Sequence, residues 1–169
     1  DLAEDHVDIT TGFTGSRVIL FGVREAPGDI AVTISGPARK MVVRRKEQTL
    51  GLWMNRGAVQ FLSVPVYYDY ALSRPENALA PSGELRRNAI GLDALDFDPV
   101  WEDDPAESAR FKEGLIRTRQ AQGLYPLEPK PVEFIGDRLF RVTLTLPANV
   151  PTGEYTIRTF LVRNGKIEQ

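Results

Sequence analysis

The sequence predicts a mainly β fold, an antiparallel immunoglobulin-like β-sandwich with a helical insertion. Three observations predict it. Short apolar, β-branched segments recur roughly every eight to twelve residues with turn signals between them, which is sandwich spacing. Two long alternating segments lie near the end of the chain. Between these β-rich regions, a stretch of about 76–130 carries helix caps and helical composition instead.

The first third supplies most of the strands. "HVDITTGF" (6–13) alternates weakly, and "SRVILFGV" (16–23) is apolar with Gly22 inside it. In "DIAVTISG" (29–36), Ile30, Val32 and Ile34 point one way and Ala31, Thr33 and Ser35 the other. "ARKMVVRRKE" (38–47) has an apolar centre flanked by charge. "TLGLWMN" (49–55) and "AVQFLSV" (58–64) are separated by Asn55-Arg56-Gly57, which predicts a hairpin. "VYYDYALS" (66–73) follows Pro65, a residue suited to a bulge or an edge. Alternation places Tyr68 and Tyr70 on one side and Tyr67 on the other.

The last third reads the same way. In "FRVTLTL" (140–146), Phe140, Val142, Leu144 and Leu146 form one face and Arg141, Thr143 and Thr145 a wet one. "PANVPTGEY" (147–155) is a turn region and "YTIRTFLV" (155–162) the next strand. Asn164-Gly165 predicts a type I′ hairpin, because both residues accept the positive φ that this turn requires. Few residues follow that turn, and no initiator Met or leader precedes Asp1. The expectation is a chain trimmed at both ends.

In the insertion, "PSGELRRNAIG" (81–91) starts at a candidate N-cap, Ser82, and stops at Gly91. "DPAESARFKEGLIRTRQAQG" (104–123) carries the strongest helix signal. Asp104 is the candidate N-cap, Pro105 sits at the first helical position and Glu107 completes a capping box. Gly123 suits the left-handed position past the helix end. Glu113 and Arg117 are spaced as an i,i+4 pair. Phe111 and Leu115 share a face, so the helix is expected to pack on a sandwich edge.

Bulk composition narrows the function classes. The chain has 169 residues, 42% hydrophobic, enough for one core and a single domain spanning 1–169. Its net charge of −2 argues against a general nucleic-acid binder. It has no cysteine, which excludes disulfides and thiolate metal sites. No apolar run is long enough to span a bilayer.

Candidate chemistry is sparse. His6 is the sole histidine, so a Ser-His-Asp device would have to use it, and no nucleophile context surrounds it. A His/Cys zinc set is impossible. "DALDFDPVWEDDP" (93–105) gathers Asp93, Asp96, Asp98, Glu102, Asp103 and Asp104, which oxygen chemistry allows to hold Ca²⁺. The spacing does not fit an EF-hand, and a solvated acidic connector explains it better. A glycosidase would need two of these carboxylates facing across a cleft. No cofactor and no metal is expected. Arg39, Lys40, Arg44, Arg45 and Lys46 form a cationic strand suited to an oxyanion or head group. A protective edge strand is the plainer account of the same charges. The insertion adds Arg86, Arg87, Arg117 and Arg119. Trp53, Trp101, Tyr67, Tyr68 and Tyr70 are residue types that dominate interfaces, though core packing explains at least one side of the tyrosine set.

Blocks in order along the chain, "ITTGFTGSRVILFGV", "GDIAVTISGP", "VVRRKEQTLGLWMN", "VPVYYDYALSRP", "LRRNAIGL", "LIRTRQAQGLY" and "RLFRVTLTLPANVPTGEYTIRTFLVRNGKI", resemble the alphaproteobacterial putative transmembrane protein family. The resemblance covers nearly the whole chain. It implies a signal sequence, a periplasmic region at the inner membrane and one C-terminal membrane helix. It also implies a neighbouring sulfite-exporter-like permease as candidate partner, and it assigns no catalytic residue.

The expectation is therefore a non-enzymatic periplasmic domain of a single-pass inner-membrane protein that binds or assembles a membrane partner. Arg44, Arg45, Lys46, Arg86 and Arg87, with Trp53 and Tyr68, are the residues expected to make partner or anion contacts. The alternative is a sensor of a small oxyanion or sugar at the junction of sandwich and insertion. A hydrolase is the third reading.

Overall fold

Alternating apolar residues in a few segments create the inner faces of the sheets. The computed structural model describes residues 6–9, 14–49, 52–100 and 105–168, with side chains for 14–44, 57–100 and 105–168. The strands are β1 (His6–Ile9), β2 (Ser16–Val23), β3 (Asp29–Ser35), β4 (Ala38–Thr49), β5 (Leu52–Pro65) and β6 (Tyr68–Leu72). They continue with β7 (Pro99–Val100), β8 (Lys130–Pro131), β9 (Glu133–Ile135), β10 (Leu139–Leu146), β11 (Gly153–Arg163) and β12 (Lys166–Glu168). Helices α1 (Glu76–Leu79), α2 (Ser82–Arg87) and α3 (Pro105–Ala121) all fall between β6 and β8.

The first sheet runs β1-β11-β3-β6-β8, with β12 also paired to β11. The second runs β2-β10-β9, and the third is the β4–β5 hairpin with β7 on its edge. The pairs are antiparallel except β6 with β8. The chain is mainly β, its sheets are antiparallel-rich and form no closed barrel among the described residues, and this is consistent with a β-sandwich.

Strands β3 and β6 of the first sheet are buried on both faces. On one face Ile30, Val32 and Ile34 of β3 and Tyr67 beside β6 meet the inner face of β10, where Phe140, Val142, Leu144 and Leu146 are buried as the alternation predicts. The Tyr67 hydroxyl donates to Thr145 C=O at 2.8 Å and joins the two sheets. On the other face lie Phe160, Tyr68 and Tyr70, and the insertion meets the two tyrosines. The insertion thus meets a sheet face, and Ala31 and Thr33, on that same side of β3, are buried.

The local turn and cap signals hold in part. Asn164 and Gly165 have φ of 51° and 74°, and Arg163 pairs with Lys166, the expected two-residue hairpin. Helix α3 ends in a Schellman motif: Gly123 N–H bonds Gln120 C=O, Leu124 N–H bonds Arg119 C=O, and Gly123 has φ of 71°. Asp104, its expected N-cap, lies outside the described residues. Ser82 is not a cap; Pro81 holds that position, and Ser82 is the first residue of α2. The helix stops at Arg87, short of Gly91.

The expected hairpin at Asn55-Arg56-Gly57 is a bulge. Thr49 already pairs with Leu52, so β5 runs straight through this segment. Arg44 faces Ala58 and Lys46 faces Asn55, which sets Arg56 and Gly57 against one residue of β4. Gly57 has φ of 74°, and a β-carbon there would lie 3.4 Å from Phe111. A left-handed glycine serves a turn or a bulge equally. The packing of α3 on this point selects the bulge.

The Tyr68 hydroxyl ties insertion to sheet. It donates to Ala89 C=O at 2.8 Å and accepts the buried Gly91 N–H at 3.0 Å. Tyr68→Phe leaves both backbone groups without that partner and is expected to lower stability by roughly 1–3 kcal/mol. Urea unfolding with an unchanged m-value checks this; a midpoint equal to wild type would contradict it.

Candidate functional site

The third sheet is a long hairpin, and α3 lies across its base. Phe111 and Leu115, the two residues predicted to share a face, are buried there. Beyond them, Val43, Arg44, Glu107, Arg110, Phe111, Glu113 and Arg117 line a groove of about 620 Å³. Among the described residues, Arg44, Arg110 and Arg117 form no ion pair, and neither do Glu113 and Arg117 with each other. Arg119 points elsewhere, with one guanidinium nitrogen 2.7 Å from Met41 Sδ and another donating to Gln122.

The predicted residues are therefore only partly assembled. Arg44 is exposed in the groove. The side chains of Arg45, Lys46 and Trp53, farther along the arm, lie outside the described residues, as do Trp101 and the His6 side chain. Arg86 and Arg87 are exposed on α2 and do not line the groove; Arg87 pairs with Glu84. Tyr68 requires correction as a contact residue. It is 1% exposed, its ring packs on Tyr70 and Tyr125, and its hydroxyl is committed to the backbone. Burial pushes its phenol well above the usual range. Interface and core favour the same aromatic residues, so the type alone did not separate them.

In the acidic stretch, Glu102, Asp103 and Asp104 lie outside the described residues, and the part before them is tied to protein groups. Asp96 accepts the Asp98 N–H at 3.0 Å. Lys112 Nζ donates to the carbonyls of Asp93 and Leu95 and stands 5.5 Å from the Phe97 ring. Burial lowers the Lys112 pKa. Phe97 and Asp98 carbonyls accept Ser63 and Leu62 N–H, the unpaired donors of a second bulge in β5. Among the described residues, no group of three metal-ligating side chains occurs.

A site the sequence did not single out lies under residues 126–130. Tyr67, Asp69, Gln120, Tyr125, Leu127 and Lys130 line a cleft of about 570 Å³. Asp69 is 4% exposed. One carboxylate oxygen accepts the Tyr70 N–H at 2.9 Å; the other lies 3.5 Å from the Tyr67 hydroxyl. That hydroxyl has one proton, and Thr145 C=O takes it at the shorter distance. Burial raises the Asp69 pKa to about 6, against the Tyr70 N–H bond and the Lys130 charge, which lower it. The other carboxylate of the lining, Glu128, is exposed, so the cleft holds one buried acid and no acid–nucleophile pair. The signal for Asp69 was an acid between two tyrosines in an otherwise apolar strand.

A family model described as putative transmembrane protein (Alph_Pro_TM) matches residues 1–168. The chain belongs to this family. No curated protein and no solved structure matches it. The immunoglobulin-like detail of the sandwich therefore rests on the sequence pattern. Among the described residues, no helix is long and apolar enough to cross a membrane.

In this member of the putative transmembrane protein family, Asp69 is expected to make stability pH-dependent. Its folded pKa of about 6 lies above the unfolded value, so the carboxyl is tolerated best when protonated. Its contribution is full below about pH 4 and is lost as pH rises through about 6. Asp69→Asn is expected to be more stable than wild type at pH 8 by roughly 2–3 kcal/mol, with the difference gone near pH 4. Urea unfolding at both pH values decides it; an equal difference at both would remove Asp69 as the cause.

Proposed function

We propose that this chain is a non-enzymatic periplasmic domain of a single-pass inner-membrane protein, which docks a membrane-protein partner through the β4–β5 arm and the groove below it. One observation carries the reading: Arg44, Arg110 and Arg117 surround one groove beside apolar Val43 and Phe111, with no ion pair to another described residue. Unpaired guanidinium groups on an apolar base suit a carboxylate-bearing protein surface. Membership in a transmembrane family supports a partner in the same membrane, where tethering raises the effective concentration and modest affinity suffices. A sulfite-exporter-like permease is a candidate.

The same three guanidinium groups favour a second reading, a small-oxyanion sensor. Glu107 and Glu113 line the groove too and offset most of its positive charge. That mixture fits a protein surface better than a free anion. Stabilisation of the purified chain by sulfite, sulfate or phosphate would reverse the preference.

Arg44→Glu/Arg117→Glu is expected to reduce recovery of the partner by at least about tenfold when the full-length membrane form is captured from solubilised membranes. Lys166→Glu, on the distant β12, is expected to leave recovery unchanged. Equal recovery with the groove variant would refute the assignment of this surface.

A further inference from the structure

Strand β2 is the outermost strand of its sheet, paired on one side to β10 and on the other to no described residue. The bond from Arg24 N–H to Arg138 C=O continues the ladder in which Val23 faces Leu139. Hydrogen-bonded and non-hydrogen-bonded pairs alternate along an antiparallel ladder. Val18, Leu20 and Gly22 therefore direct their backbone groups toward β10, and Arg17, Ile19, Phe21 and Val23 direct theirs to the open edge. The side chains of this second set stand on the outer face of the sheet. Ile19, Phe21 and Val23 are 52%, 53% and 59% exposed.

The centre of β2 leaves this edge unguarded. From Val18 to Val23 it has no proline, no charge and no register shift. A cleft of about 1000 Å³ runs beside it, lined by Leu20 to Ala26 and by Thr156 to Thr159 of β11. Free backbone groups with exposed large apolar side chains form a template for another strand.

Laid antiparallel against itself, β2 together with Arg24 and Glu25, the two residues that follow it, selects one register. Centred on Phe21, Arg17 falls opposite Glu25, Ile19 opposite Val23, and Phe21 opposite its own copy. Centring on Leu20 sets Arg17 against Val23, and centring on Gly22 sets Ile19 against Glu25. Only the Phe21 register matches charge with charge and apolar with apolar. Arg17 and Glu25 are both exposed, and neither side chain has an ion-pair partner among the described residues.

We propose that the chain dimerises by pairing the open edge of β2 with β2 of a second copy, antiparallel about Phe21, so that the two β2-β10-β9 sheets become one. The interface is isologous, as a two-fold requires. It uses the Arg17–Glu25 contact twice and is separate from the groove at Arg44.

Sedimentation equilibrium of the 169-residue chain tests it. Wild type is expected to be dimeric. Arg17→Glu sets like charges opposite each other at both ends and is expected to weaken the dimer about tenfold. Arg17→Glu/Glu25→Arg exchanges the charges and is expected to restore it. The chain has no cysteine, and opposed residues in a hydrogen-bonded pair lie about 5.5 Å apart at Cα, within disulfide reach. Phe21→Cys is therefore expected to give a covalent dimer on oxidation, and Thr143→Cys, on the outer face of β10, is not. The charge variants lie on the surface, and circular dichroism confirms that they fold. A monomer at every concentration, or a dimer indifferent to Arg17→Glu, would overturn the proposal.

Discussion

The Tyr68 hydroxyl is the contact on which the placement of the insertion depends. A phenol buried in the middle of a sheet must find partners, because a buried polar group left unpaired is costly. Tyr68 finds them in Ala89 and Gly91, residues that follow α2. Tyr70 reinforces the contact from the same strand face by donating to Glu76 of α1 at 2.6 Å. Tyr125, just past α3, packs on Tyr68 and donates to Pro65 C=O at 2.8 Å. Three tyrosines thus hold the beginning, middle and end of the insertion against one strand. Their apolar rings fill the layer, the hydroxyls of Tyr68 and Tyr125 meet backbone groups, and that of Tyr70 meets the Glu76 carboxylate.

The hairpin arm follows from a different constraint. Long two-stranded ribbons twist strongly, and bulges absorb the twist while leaving donors without ladder partners. Here both bulges are met by the insertion. The 97–98 carbonyls accept the N–H groups of Leu62 and Ser63, and α3 sits on Gly57. The acidic connector is fixed as part of the same arrangement, with the Lys112 ammonium bridging its carbonyls. The groove at Arg44 exists because helix and arm are locked together at these points.

Charge is distributed in keeping with that geometry. Arg141 with Glu133 and Arg163 with Glu168 pair across neighbouring strands on exposed faces, where such pairs contribute little to stability. The groove at Arg44 leaves its guanidinium groups without an ion pair among the described residues, and β2 keeps an apolar edge with no charge between Val18 and Val23. These two surfaces lie on different sheets and differ in chemistry, one polar with cations and the other apolar with backbone donors and acceptors.

The sequence by itself determined the mainly β character, the inward faces of β3 and β10, the type I′ turn at Asn164-Gly165 and the glycine end of α3. Each depends on residue period or on the φ preference of one or two residues, and both are local properties. It also placed Arg44 on a cationic strand. It did not separate a bulge from a turn at Gly57, or a buried Tyr68 from an exposed one, because the same residue satisfies either setting. It passed over Asp69, whose isolation arises only when Thr145, far along the chain, claims the neighbouring hydroxyl. Tertiary structure alone decided which sheet face the insertion covers, which cations meet at the groove, and which edge of β2 no described residue pairs with. Those outcomes depend on contacts between segments distant in sequence, for which no local pattern carries a signal.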